Sequence, residues 1–287
     1  MSDRTLELAL TAFAEATLGA SETDLEREWA WRAYDEGVRY AFFRTYEELR
    51  ELAVNLADQR LQPGQPPTTA QRVVAQYQLA YRDLQAVLLG VDDELGARAP
   101  TPADWPLQRV VTHIIGAERQ FFSRIVYAVE RQRAGDGRPL EMTEEQMEAF
   151  TGSETSRNAL IPRSLSEVFT AYDGLHARVL SDLKNLSDED LRAPSVWWEE
   201  EEVSVRFRLQ RFDSHLRQHT IHAEKTLDDL GQRSSEAKRL LRLIYSAAAE
   251  AEGAQLGVEQ LGQDLVGTAA GIIVDRAGEI REILHAD

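Results

Sequence analysis

The chain contains no cysteine among its 287 residues. Disulfides, thiolate metal sites and cysteine nucleophiles are therefore excluded, and any metal chemistry must use nitrogen and oxygen ligands. Basic residues are scarce: 32 Lys and Arg against 49 Asp and Glu give a net charge of −17. A field of that sign repels phosphate backbones and anionic headgroups, so neither nucleic acid nor a membrane surface is an expected partner. Long hydrophobic runs are missing as well. The longest apolar stretch, at 265–274, falls far short of the roughly 20 residues that span a bilayer. The first residues, MSDRTLELAL, lack the basic, apolar and small-residue order of a secretory signal. A cytoplasmic protein is expected.

What is present is helix-forming. Nine prolines fall at 63, 66, 67, 100, 102, 106, 139, 162 and 194, and the stretches between them are rich in Ala, Leu, Glu, Arg and Gln. Those residues lose least on entering a helix, whereas proline removes a donor and clashes with the preceding turn. The pattern predicts an all-α fold with helices near 3–18, 23–61, 68–95, 106–133, 164–185, 205–230, 234–254 and 257–284. The stretch 134–163 reads as irregular apart from a short helix near 143–150, and the acidic run 199–202 reads as a solvated loop or helix entry. Strand-like alternation occurs only near 203–207. Ser164 with Glu167, and Ser21 with Asp24, have the three-residue spacing of a capping box. Gly231 follows a helix where a left-handed cap belongs.

Four of these helices carry apolar stripes at the 3, 4, 7 spacing of a buried face. They comprise Val73, Val74, Tyr77, Leu84, Val87 and Leu88; Leu107, Val110, Val111, Ile114, Ile115, Phe121, Phe122 and Ile125; Leu165, Val168, Phe169, Tyr172, Val179, Leu180 and Leu183; and Val205, Leu209, Phe212, Leu216, Ala223, Leu227 and Leu230. Four such rods are what a four-helix bundle requires. The expected organisation is a bundle over 68–231, with helical extensions at 1–67 and 232–287.

The polar residues that interrupt these stripes carry the chemistry. His215 and His219 are four apart, so both project from one face and could hold one cation. His222 follows three residues later, rotated away. Half of the six histidines thus lie within 215–222, an arrangement that a half-exposed face can also produce by chance. His113 falls off the centre of its stripe. Glu118 sits in the middle of that stripe and needs a partner there, since an unpaired buried carboxylate costs several kcal/mol. That partner could be an imidazole, a metal or an arginine. His176, also on a stripe, reads as hydrogen-bonded packing, and His285 as solvated.

Two segments, Trp105-PLQRVVT-His113 and Phe212-DS-His215-LRQ-His219-TIHAEKTL, resemble the DinB-like (DinB/YfiT) superfamily of metal-binding four-helix bundles. The tryptophan placed eight residues before a histidine, then about a hundred residues, then HxxxH, is similar to that family's order. The resemblance implies that His113, His215 and His219 hold one divalent cation, nickel or zinc in most members. Arg109 stands where many members have an acid, and His222 where many have glutamine.

The resemblance further implies a metal-dependent transferase that adds a low-molecular-weight thiol to a small electrophile. The sequence itself offers His222, Glu224 and Glu118 as alternative acid–base groups. A thiol cofactor suits a chain that has no thiol of its own. The alternatives are a non-catalytic metal-binding or stress-response bundle acting through dimerisation or partner contact, and a purely structural helical protein. A homodimer is the expected assembly.

Overall fold

The computed structural model describes residues 2–135, 137–151, 164–196, 201–258 and 260–286. Among them the fold is all-α with two small hairpins. The helices are α1 Ser2–Thr17, α2 Glu22–Leu25, α3 Val38–Leu61, α4 Thr69–Leu88, α5 Asp93–Gly96, α6 Leu107–Ala134, α7 Glu144–Thr151, α8 Leu165–Leu183, α9 Val205–Asp229, α10 Glu236–Gln255 and α11 Gln263–His285. Strands β1 Glu28–Trp31 and β2 Tyr34–Gly37 form one antiparallel pair, β3 Pro194–Val196 and β4 Glu202–Ser204 the other. No helix among the described residues is long and apolar enough to cross a membrane.

The caps occur where the sequence places them. Ser164 and Ser21 each accept from the backbone three residues on, and Glu167 and Asp24 return the bond. Gly231 adopts φ +78° after α9, and the Gln232 amide reaches back to the Leu227 carbonyl. Part of the expected acidic loop at 199–202, and of the irregular stretch 134–163, lies outside the described residues.

Two predicted helices are broken. The stretch expected as one helix over 23–61 contains the β1–β2 hairpin, in register Glu28↔Gly37 to Trp31↔Tyr34. Its two-residue loop is made possible by Arg32 at φ +58°. Gly37 then ends the strand close to the Leu25 carbonyl, where a Cβ would stand 2.8 Å from the oxygen. The helix expected over 68–95 stops at Leu88, and Gly90 turns the chain with φ +73°.

The chain divides into two compact units. One comprises Met1–Pro67, Tyr81–Gly90 and Arg233–Asp287. In it α1 packs against α11 and α3 against α10, around Leu6, Leu10, Phe13, Phe42, Leu49, Leu56, Ile244, Ile273 and Ile280. Phe13 meets Phe42 edge to face at 5.3 Å. Arg82 and Glu252, both almost fully buried, form a two-pronged ion pair at 3.0 and 2.5 Å.

The other unit comprises Thr68–Ala80 and Val91–Gln232, and it contains the start of α4 with α6, α8 and α9. Every member of the α6 stripe is buried, as are Val205, Leu209, Phe212, Leu216, Ala223 and Leu227 of α9. Each such Val, Leu, Ile or Phe side chain contributes about 1.5–3 kcal/mol through its removal from water. Helices α6 and α9 run antiparallel: Phe121 meets Phe212 at 5.7 Å, and farther along His113 meets His219 at 4.6 Å.

Candidate metal centre

That antiparallel seam builds the site. His215 and His219 project from successive turns of α9 and are buried, with 6% and 7% of their surface exposed. His113 comes from α6 and is exposed. Its place off the centre of the apolar stripe is what matters: from the shoulder of α6 the ring reaches α9 while keeping one side open to water. The ring centroids lie 4.6 Å (113–219), 5.3 Å (113–215) and 4.5 Å (215–219) apart. One nitrogen from each lies within 4.8 Å of the others, and among the described residues this is the group that could hold a metal ion. Bonds of about 2.0–2.1 Å to one cation need the nitrogens somewhat closer, a change within reach of small ring rotations.

Two further observations fit a cation. The Nδ1 atoms of His215 and His219 are buried without a hydrogen-bond partner, a state that costs about 1–3 kcal/mol per group unless something else engages the ring. The rings are also held neutral. Burial, then His219, His113 and Arg211, push the His215 imidazole down to about 3. Burial, then His113, His222 and Arg211, push His219 down to about 4. His113 is lowered by burial, His222 and Arg109. Neutral imidazoles offer lone pairs at physiological pH, and with no carboxylate in the group a bound cation would keep its charge.

Aromatic rings wall the cluster. Phe121 stands edge-on to His215 at 5.4 Å. Trp105, held just before the Pro106 cap of α6, lies 5.3 Å from His113 and 5.9 Å from His222. His222 is half-buried and 5.9 Å from His219, which puts it at the open side. Glu224, also half-buried on α9, is not part of the imidazole group.

Glu118 is placed elsewhere. Its carboxyl is fully buried and accepts from the Tyr77 hydroxyl at 2.6 Å and the Tyr172 hydroxyl at 3.0 Å. Its partners are thus phenols from α4 and α8, not the imidazole, metal or arginine that the sequence suggested. His176 is hydrogen-bonded packing, with Nε2 2.6 Å from Gln78 Oε1. Neither tyrosine was singled out as a partner by sequence; the available signal was a phenol on each of two neighbouring apolar stripes.

Burial, opposed by the two phenols, raises the Glu118 carboxyl to about 8. The folded protein then holds a proton that the unfolded chain releases near pH 4.5. The resulting stability is full below that pH and declines as pH rises toward 8. Glu118→Gln, which mimics the protonated form, should remove this decline. Urea midpoints of metal-free protein between pH 7 and 8 should show wild type losing about 1 kcal/mol more than the variant. Parallel curves would refute the raised carboxyl.

No curated protein and no solved structure matches the chain. The sequence model of the DinB superfamily does match, over residues 76–223. That span is just over half of the 287 residues and includes all three clustered histidines. The chain belongs to the DinB superfamily.

Proposed function

We propose that the chain is a metal-dependent transferase that joins a small thiol to a small electrophile, with His113, His215 and His219 as the ligands of one divalent cation. The observation that supports this reading is the cluster itself: three neutral imidazoles, two buried and one opening to solvent. Imidazole donors suit nickel and zinc. When bound, such a cation supplies Lewis-acid stabilisation of negative charge developing on sulfur or oxygen.

The chain's own groups would do the rest. Trp105 and Phe121 flank the cluster and limit the approach of water. His222, beside Trp105 and His219, would take the proton from the thiol S–H as the new S–C bond forms. It returns that proton to the atom of the electrophile that gains the electron pair. The sulfur comes from a free small thiol, because the chain has none.

Nickel- or zinc-loaded protein should consume a small thiol in the presence of a reactive electrophile. His222→Gln should retain metal and lose roughly a hundredfold in turnover, the usual contribution of a general base. Stoichiometric metal without thiol consumption would favour the non-catalytic binding reading. Full turnover in the variant would remove His222 from the mechanism.

A further inference from the structure

A polar pocket of about 380 Å³ opens in the unit that holds the imidazoles and shares no lining residue with them. Its walls are Thr69 at the start of α4, then Asp188, Leu191 and Arg192 of the turn that follows α8, and Ser204 and Arg206 where β4 meets α9. The backbone around it is fastened. Strand β3 pairs with β4 through Pro194↔Ser204, and the next step of that register is the Val205 amide donating to the Ala193 carbonyl at 2.9 Å. One residue further out on each side stand Arg192 and Arg206, so the end of the hairpin brings two guanidiniums to one pocket. The turn that carries Arg192 is itself held by Asp190, which accepts from Arg133 at 2.8 and 2.7 Å and from the Ser187 amide at 2.8 Å.

Like charges set opposite one another repel unless an anion lies between them. In a chain with 49 acids against 32 bases, a carboxylate would be the ordinary neighbour of each arginine. Among the described residues, however, neither the Arg192 nor the Arg206 side chain has an ion pair or a hydrogen bond. Asp188 is the one carboxylate in the lining, and it is joined to neither of them. Two hydroxyls complete the wall. Ser204 Oγ accepts from the Phe207 amide at 3.2 Å, which leaves its hydrogen to donate, and Thr69 adds a second O–H.

We propose that this pocket binds a small phosphate monoester, its phosphate held between Arg192 and Arg206 with the Ser204 and Thr69 hydroxyls as further donors. A guanidinium matches phosphate through paired N–H bonds, and a fastened backbone lowers the cost of bringing two of them to it. The volume falls within the roughly 300–1,000 Å³ of small-ligand sites, which leaves room for an organic part beyond the phosphate. Asp188 accepts from a hydroxyl of that part. The net charge of the chain opposes a polyanion, which must meet the whole acidic surface, and not a single small phosphate. The site is independent of the metal reading and needs neither cation nor thiol.

The test is calorimetric titration of metal-free, full-length protein with glycerol 3-phosphate, inorganic phosphate and glycerol. Wild type should bind the ester more tightly than inorganic phosphate and should not respond to glycerol. Arg192→Met and Arg206→Met should each weaken the ester about tenfold, the effect of one hydrogen bond to a charged group. Both arginines are exposed, so the variants should fold. Arg192→Lys, which keeps a charge, should retain part of the affinity. Arg178→Met, at an exposed arginine of α8 outside the pocket, should leave it unchanged. No binding of the ester by wild type, equal affinity for the ester and inorganic phosphate, or an affinity undiminished when both pocket arginines are replaced would overturn the proposal. Each of those outcomes would leave the metal reading standing.

Discussion

If His113, His215 and His219 are the ligands proposed above, His219→Ala is expected to abolish metal binding. On the proposed reading the three imidazoles share the task of holding one cation, and structural zinc sites of about four ligands bind with roughly 10–16 kcal/mol in all. Removal of one ligand should therefore cost about 3–4 kcal/mol, a few hundredfold in affinity. Wild type dialysed against trace nickel or zinc should carry about one ion per chain by elemental analysis, and the variant almost none. The thermal midpoint gives a second readout, since a ligand present at 100 times its Kd stabilises by about 2.7 kcal/mol. Metal should raise the midpoint of wild type and leave that of the variant unchanged. Equal metal content in the two proteins would place the cation elsewhere.

The second large effect lies in the other unit. Glu252→Ala should destabilise it by about 3–5 kcal/mol, because the substitution leaves a buried guanidinium without its counter-ion. Arg82 and Glu252 are each only 8% exposed and share two hydrogen bonds. Gln85 also accepts from Arg82 at 2.7 Å, but a neutral amide does not replace a carboxylate. The double substitution Arg82→Met with Glu252→Leu should recover most of the loss, since apolar side chains of similar volume dispense with both desolvation costs. Urea unfolding of the three proteins tests this directly. A single variant with wild-type stability would mean that water reaches the pair.

Helix positions were legible in the sequence wherever proline, a capping serine or a left-handed glycine stands beside an apolar stripe. The stripes of 107–125 and 205–227 are buried as their spacing predicts. The hairpin at 28–37 was not legible. Its Glu, Arg and Ala content favours a helix, and the alternation of Trp29 and Trp31 is too brief to outweigh that composition. What decides it is tertiary: Trp29 is buried and its Nε1 donates to Glu279 at 3.0 Å, 250 residues away.

The site divides in the same manner. His215 and His219 follow from a one-turn spacing, a local property of one helix. The arrival of His113 does not, because a helical wheel gives its angle to its own stripe and not to the neighbouring rod. Only the family resemblance pointed to that ring. The partners of Glu118 stand 41 and 54 residues away on other helices, so the sequence showed the need for a partner and not its identity.

The carboxyl of Glu118 and the three imidazoles fasten the bundle in different ways. The first ties α4, α6 and α8 together with hydrogens already in the molecule, and it asks nothing of the solvent beyond a proton. The second would join α6 to α9 only through a cation shared by the three rings, as proposed above. A scaffold secured on one side by its own clasp would, on that reading, release or take up a cation on the other without coming apart.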